Sequence, residues 1–309
     1  MRLTHSHIPF LRRHMLSQDM VLGHEGVGIV SRVGPLVKNF KVGDRVGWGY
    51  NHGNCGNICK FCLKGKDTLC SQNRMYGNED LDQASFGDRF VIDAEFAHHI
   101  PDGLELRDAA PLMCGGATVY GAIKAAQIPS HARVGVLGVG GLGHLAIQYL
   151  AKMGCDVVVF SGTDSKKDEA TKLGATDFVA MKTNPTLEGV EPVQYLLVTT
   201  SAQPNWKTLI PVLEKEATIL PLSVAFNNFT FPYMPIIGME LKIQGSLVAG
   251  RGVHKEMIEV TAKDGVRPMI EELPMTLDGL KTAFDRLKKG DVRYRFVLRN
   301  EKNCEKAGI

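Results

Sequence analysis

The sequence predicts an α/β protein of two domains, one small and β-rich, the other built on a doubly wound parallel sheet. Three observations carry this. Residues 21–118 are rich in Gly, Val and turn signals, with short alternating segments broken by glycines, as in "VLGHEGVGIVSRVGPLVKNFKVGDRVGWG". From about residue 119 the texture changes to strand–helix alternation. A chain of 309 residues also exceeds what one ordinary core fills, so a division is expected.

Taken in order, the β-rich domain occupies 1–118, with a cysteine-bearing lobe at 52–73, and the wound domain occupies 119–250. Within the latter, "RVGVLGVGGLGHLAIQYLAKMG" reads as a strand, a glycine-rich turn and an amphipathic helix. "CDVVVFSG" is the next strand, "SKKDEATKLGA" a helix and "YLLVTTS" a strand, and "WKTLIPVLEKEATILPLS" reads as a helix leading into another strand. Residues 251–309 carry two amphipathic helices, "VHKEMIEVTAKDG" and "TLDGLKTAFDRLKKG", then the strand "RYRFVL", and are expected to return to the first domain. There is no internal repeat and no low-complexity linker.

Composition narrows the class. Hydrophobic residues at 44% and charged residues at 22% suit a soluble globular protein. The net charge of +3 is not gathered into a basic tract, so nucleic acid is not an expected partner. No apolar run is long enough to cross a bilayer, so no membrane association is expected. The opening "MRLTHSHIPFLRRHML" lacks the apolar stretch of a secretory signal and only weakly resembles a mitochondrial presequence, which favours the cytoplasm.

Gly138, Gly140 and Gly143 form G-x-G-x-x-G directly after an apolar strand and at the start of a helix. The first glycine permits the tight turn, the second lets a pyrophosphate approach the backbone, and the third lets helix and strand pack closely. Together with Gly141 and Leu142 they would seat a dinucleotide at the helix N-terminus. The end of the next strand decides which dinucleotide. Ser161, Gly162 and Thr163 stand where an NAD enzyme carries a carboxylate, and Lys166 and Lys167 follow. Small hydroxyls beside ammonium groups suit a 2′-phosphate, so NADP(H) is favoured. Asp164 argues the other way, and both lysines also fit a solvated first helical turn.

Four of the seven cysteines, Cys55, Cys59, Cys62 and Cys70, crowd into "CGNICKFCLKGKDTLC" with the spacing C-x3-C-x2-C-x7-C. Four thiolates on a Lys- and Gly-rich loop can close a tetrahedral shell around Zn²⁺ that holds the loop in shape. An iron–sulfur cluster or reduced structural thiols are the alternatives. A second polar feature is "VLGHEGVGIV", where His24 and Glu25 stand side by side among glycines, a placement that suits a metal but needs further ligands. Cys114, in "PLMCGGATVYG", stands where the two domains join, and by itself it reads better as a small buried hydrophobe than as a ligand. Trp48 and Tyr50 read equally as pocket-lining or as core aromatics.

The ordered set "GHEGVG", the four-cysteine lobe, "PLMCGGATVYGA", "GVGGLGHLAIQ" and "RYRFVL" resembles the zinc-containing medium-chain alcohol dehydrogenases, particularly their NADP-dependent, cinnamyl-alcohol-dehydrogenase-like branch. The resemblance covers residues 20–299, although the family usually has two rather than three residues between its first two lobe cysteines. It implies a GroES-like catalytic domain formed from both chain ends around a Rossmann domain. It implies one structural zinc and, where the site is competent, one catalytic zinc held by His24 and Cys114, with Glu25 binding the metal or standing just outside its shell. Thr118 corresponds to a residue beside the nicotinamide and Arg295 to a contact with the cofactor phosphates, and Leu222 is counted with the cofactor contacts. An alcohol or aldehyde substrate and a homodimer or homotetramer are implied as well.

One departure stands out. The family's remaining catalytic ligand is a cysteine upstream of the GHE segment, and no cysteine precedes Cys55 here. Ungapped alignment puts Pro9 at that position, Leu11 where a relay hydroxyl belongs, Arg12 where an acid belongs, and His14 at a relay position. Two explanations stand. The N-terminal part is truncated or altered relative to an active parent, which the abrupt change over "HIPFLRR" favours, or the chain is an impaired paralogue that binds NADP(H) without a complete metal site.

Overall fold

The computed structural model describes residues 2–3 and 20–307. Pro9, Leu11, Arg12 and His14 lie outside the described residues. The chain divides into two compact units, Met1–Ala117 with Val248–Ile309, and Thr118–Leu247.

The first unit opens with β1 (Arg2–Leu3), β2 (Gly26–Ile29), β3 (Arg45–Trp48), β4 (Asn51–Gly53), β5 (Arg74–Met75) and β6 (His98–His99). Strands β2, β3 and β6 form an antiparallel sheet, while β4 and β5 form a separate antiparallel ribbon. The glycines of β2 have a local cause. The space a side chain at Gly26 would need is filled by the indole of Trp48, which stacks on Phe90 with ring centroids 4.8 Å apart. All four lobe cysteines lie between β4 and β5, so the lobe is the loop of that ribbon.

Helix α1 (Gly115–Ala125) begins in the first unit and runs into the second. There β7 (Arg133–Leu137), α2 (Gly143–Lys152), β8 (Asp156–Ser161), α3 (Lys167–Lys172), β9 (Asp177–Ala180), β10 (Val193–Val198), β11 (Leu213–Pro221) and β12 (Lys242–Ile243) follow. The six strands pair in parallel in the order β12-β11-β10-β7-β8-β9. Buried runs in β7, β8 and β10 read as near-continuous apolar stretches because a parallel sheet is covered on both faces.

One expectation is corrected in this unit. The helix expected over "WKTLIPVLEKE" is only Trp206–Leu209, extended by the 3-10 turn Ile210–Val212, and the strand begins at Leu213. Pro211 cannot donate a helical hydrogen bond. Pairing of Leu213 with Val193 and of Ile219 with Leu196 buries the apolar residues that a helix would have spread around its circumference.

The chain then returns to the first unit through α4 (Arg251–Asp264), β13 (Ile270–Pro274), α5 (Leu277–Lys289) and β14 (Arg295–Arg299). Strand β14 lies between β13, which it pairs in parallel, and β1, which it pairs antiparallel, so both chain ends build one sheet. Helix α5 covers this sheet through Ala283 and Leu287, packed with Phe296. Among the described residues no helix is long and apolar enough to cross a membrane.

Candidate functional site

The lobe cysteines are all free, and their four Sγ atoms lie within 4.8 Å of one another. Backbone amides turn toward the sulfurs: Cys59 N–H donates to Cys55 Sγ (3.3 Å) and Gln72 N–H to Cys70 Sγ (3.4 Å). The amide on Cys55 is the main reason its thiol is held down to about 6, while burial pushes Cys62 up. The extra residue between Cys55 and Cys59 is taken up by two consecutive left-handed residues, Gly56 (φ 76°) and Asn57 (φ 66°). The side chain of Asn54 steadies them, accepting from Gly56 N (2.9 Å) and Asn57 N (3.3 Å). Four converging sulfurs with amides donating to them fit a closed tetrahedral metal shell better than inert thiols.

Arg251, the first residue of α4, bridges the two halves of the lobe. Its main-chain N–H donates to the buried Asp67 carboxylate (3.0 Å), between Cys62 and Cys70, and its guanidinium reaches Asn57, between Cys55 and Cys59. The same guanidinium pairs with Glu95 (2.5 Å) and lies 4.7 Å from the centre of the Phe96 ring. Asp67 also accepts from Asn51 Nδ2 (3.0 Å). Beside this network, Tyr50, Asn51, Asp67, His98, Arg251 and His254 line a small polar cavity. The rings of His98 and His254 lie 4.1 Å apart there, and burial holds His98 down to about 4 and His254 well below its ordinary value.

His24, Glu25 and Cys114, far apart in sequence, also converge: one ligand atom from each lies within 4.8 Å of the others. Glu25 is only 1% exposed, and its Oε1 accepts from the Gly115 amide (3.0 Å), which ties the carboxylate to the residue after Cys114. The imidazole of His24 packs against two tyrosines, Tyr50 edge-on at 5.1 Å and Tyr76 tilted at 5.0 Å. A nitrogen, a sulfur and a carboxylate oxygen make a donor set suited to zinc, and the backbone bond on Glu25 is the kind of outer support that orients a ligand.

In the second unit Gly138 adopts φ 97°, and a Cβ on Gly143 would collide with the Gly138 carbonyl, whereas the space a Cβ would take at Gly140 is open. Gly138 and Gly143 thus meet the requirements of a tight turn and of close packing. Thr199, which no motif marked, holds the turn by donating to the carbonyls of Leu137 and Gly138 (2.9 Å each). Strand β8 ends at Ser161, followed by exposed Gly162 and Thr163. Lys166 turns inward, and its Nζ donates to Val139 O (2.5 Å) inside the glycine loop, while Lys167 stays exposed. Leu222 is buried just after β11, and Thr118 is half-buried on α1. Arg295 lies in the first unit, 2% exposed, with Nε and Nη2 lacking partners. Leaving two guanidinium nitrogens, with three N–H bonds between them, buried and unpaired is costly, so the residue suits an anionic ligand.

Comparison with known proteins decides the family. Residues 3–102 match the model of the alcohol dehydrogenase GroES-like domain, and residues 141–263 match that of the zinc-binding dehydrogenases. The chain is 34% identical over 307 residues to a probable cinnamyl alcohol dehydrogenase of Pinus taeda, covering 96% of this chain and 85% of the relative. It belongs to the zinc-containing medium-chain alcohol dehydrogenases. Its place is in their cinnamyl-alcohol-dehydrogenase-like branch, and the solved structures agree. A Sorghum bicolor cinnamyl alcohol dehydrogenase superposes with a TM-score of 0.83 at 31% identity, over 90% of this chain and 81% of that one. A cinnamyl alcohol dehydrogenase of Helicobacter pylori complexed with NADP(H) gives 0.80 at 26% identity, over 92% and 82%. For this alcohol dehydrogenase the GroES-like fold therefore corresponds to the first unit's β-rich part and the wound sheet to the Rossmann fold.

Proposed function

We propose that this alcohol dehydrogenase interconverts a primary alcohol and its aldehyde with NADP(H), using a metal centre of His24, Cys114 and Glu25. The observation that carries the reading is the convergence of those three ligand atoms within 4.8 Å, with Glu25 oriented by the Gly115 amide. When bound, zinc supplies a Lewis acid for the alcohol or aldehyde oxygen and the nicotinamide supplies or accepts the hydride. The chain's own contribution is positioning. The Gly115 N–H aims the Glu25 carboxylate, so that this residue serves as the third ligand in a chain with no cysteine before Cys55. The lobe cysteines hold a second, structural zinc. The glycine turn and the N-terminus of α2 receive the pyrophosphate, and Lys166 with Ser161 and Thr163 binds the 2′-phosphate. Arg295, two of whose buried guanidinium nitrogens lack a partner, is the first unit's candidate for an anionic group such as a cofactor phosphate. Exposed Tyr233, Met234, Ile237 and Ile243, beside the edge strand β12, favour self-association.

A second reading rests on one sequence fact, the lack of a cysteine before Cys55: a chain that binds NADP(H) and one zinc without turnover. Zinc per chain, measured together with NADPH and NADH oxidation over a panel of aldehydes, separates the two. Two zinc ions with turnover support the enzyme; one zinc with tight NADPH and no turnover supports the alternative. Lys166→Ala is expected to raise KM for NADPH about tenfold or more, the loss of a charge-assisted bond, with little change for NADH. Equal effects on both cofactors would refute the 2′-phosphate assignment.

A further inference from the structure

We propose that Tyr76 is the positioning residue that aims the imidazole of His24, and that Tyr50 completes its cradle. The inference rests on the reading of His24, Glu25 and Cys114 as a metal centre.

Tyr76 grips this segment twice. Its hydroxyl oxygen accepts the Gly23 amide (3.0 Å, buried), one residue before His24, and its ring lies 5.0 Å from the imidazole at 44°. The main chain it holds is pinned on the other side as well. Ser85 N–H donates to Gly23 O (2.9 Å) and Phe86 N–H to Leu22 O (2.7 Å). Gly23 itself sits at φ 91°, where an L side chain is strained, and the Phe86 ring fills the space a Cβ would need. The residue before His24 thus has its amide, its carbonyl and its conformation set by neighbours. These bonds fix the main chain and do not themselves set the χ angles of the imidazole. The two phenol rings pack against the imidazole and limit its turning, Tyr50 edge-on at 84° and Tyr76 tilted at 44°. The tyrosines also hold each other, through a 6.2 Å ring contact and the bond from Tyr76 N–H to Tyr50 O (3.0 Å).

Their place in the fold gives this cradle its reach. Tyr50 immediately precedes β4 and Tyr76 immediately follows β5, so both stand at the base of the ribbon whose loop is the cysteine lobe. The geometry of the lobe therefore sets the register of the ribbon, and the ribbon sets the cradle around His24. Tyr76 is only 5% exposed, so its ring is held in place by its surroundings.

The test compares the full-length protein with Tyr76→Phe, which keeps the ring and removes the bond to Gly23, and with Tyr76→Leu, which removes both. Each is titrated with a chromophoric chelator and separately loaded with Co²⁺ for its visible absorption spectrum. The wild type is expected to hold two metals. Tyr76→Phe should bind the lobe metal as the wild type does, but the second metal about 10–100-fold more weakly, the usual cost of losing support for a ligand. Its cobalt bands should shift, and Tyr76→Leu should lose more affinity still. The unchanged lobe metal shows that the variants fold. Wild-type affinity and an unshifted cobalt spectrum in Tyr76→Phe would overturn the role of Tyr76 and leave the metal centre standing. A wild type that binds only the lobe metal would overturn the metal centre, and this inference with it.

Discussion

The two metal-competent clusters of the first unit are built in opposite ways. The cysteine lobe draws its four ligands from one short loop, with amides of the same loop donating to the sulfurs. The second cluster takes His24 and Glu25 from the start of one sheet and Cys114 from the entrance to α1, and is joined by a bond spanning 90 residues. A local cluster takes its ligands from its own loop, with Arg251 the distant residue that braces it. A distributed cluster exists only when several separate elements are in place, so it depends on groups such as Tyr76 that touch no reacting atom. The lobe should therefore fail by unfolding, and the distributed centre by losing function while the fold survives.

The largest effect expected is at the lobe. Cys70→Ser removes one of four ligands, and because metal binding is coupled to folding it should cost on the order of 5 kcal/mol, an appreciable part of a domain's stability. Thermal unfolding together with zinc analysis checks this, and a variant with one zinc fewer and an unchanged melting temperature would break the contrast. Next comes the distributed centre. Glu25→Gln should lower kcat/KM on the order of 10²–10³-fold while thermal stability and lobe zinc stay close to wild type. Retained turnover would show that Glu25 stands outside the metal shell.

The smallest effect separates stability from both metals. His98 and His254 are held below 6.5, first by burial; Asp67 opposes this for His98 while Arg251 adds to it, and His98 in turn lowers His254. Lowered histidines disfavour the proton in the folded state. For His98 the contribution is therefore complete above about pH 6.5 and is lost as pH falls through about 4. For His98 it amounts to about 3 kcal/mol across that window. Melting temperatures measured between pH 7 and 4 should fall less steeply in His98→Phe than in the wild type. Because both proteins carry the same lobe, the difference reports the histidine pair rather than acid release of zinc.

Much of this molecule is legible in the sequence for the same reason that the lobe is. Helix and strand periods are local, so β7, the glycine turn and α2 fall where "GVLGVGGLGHLAIQ" puts them. The helix drawn too long at "WKTLIPVLEKE" shows the limit, because the choice at Leu213 is made by the neighbouring strand. Thr199 on the glycine turn, Arg251 across the lobe and Tyr76 against Gly23 carry no motif at all. Each is an ordinary residue given its role by a partner distant in the chain.

By itself the sequence determined the α/β class, the dinucleotide turn and the four-sulfur lobe, since each is written in spacings of a few residues. Only the tertiary structure decided that the Glu25 carboxylate meets the Gly115 amide, that His24 packs against two tyrosines, and that one arginine holds both halves of the lobe. Contacts across tens of residues follow from how packed elements meet, and no local period encodes that meeting.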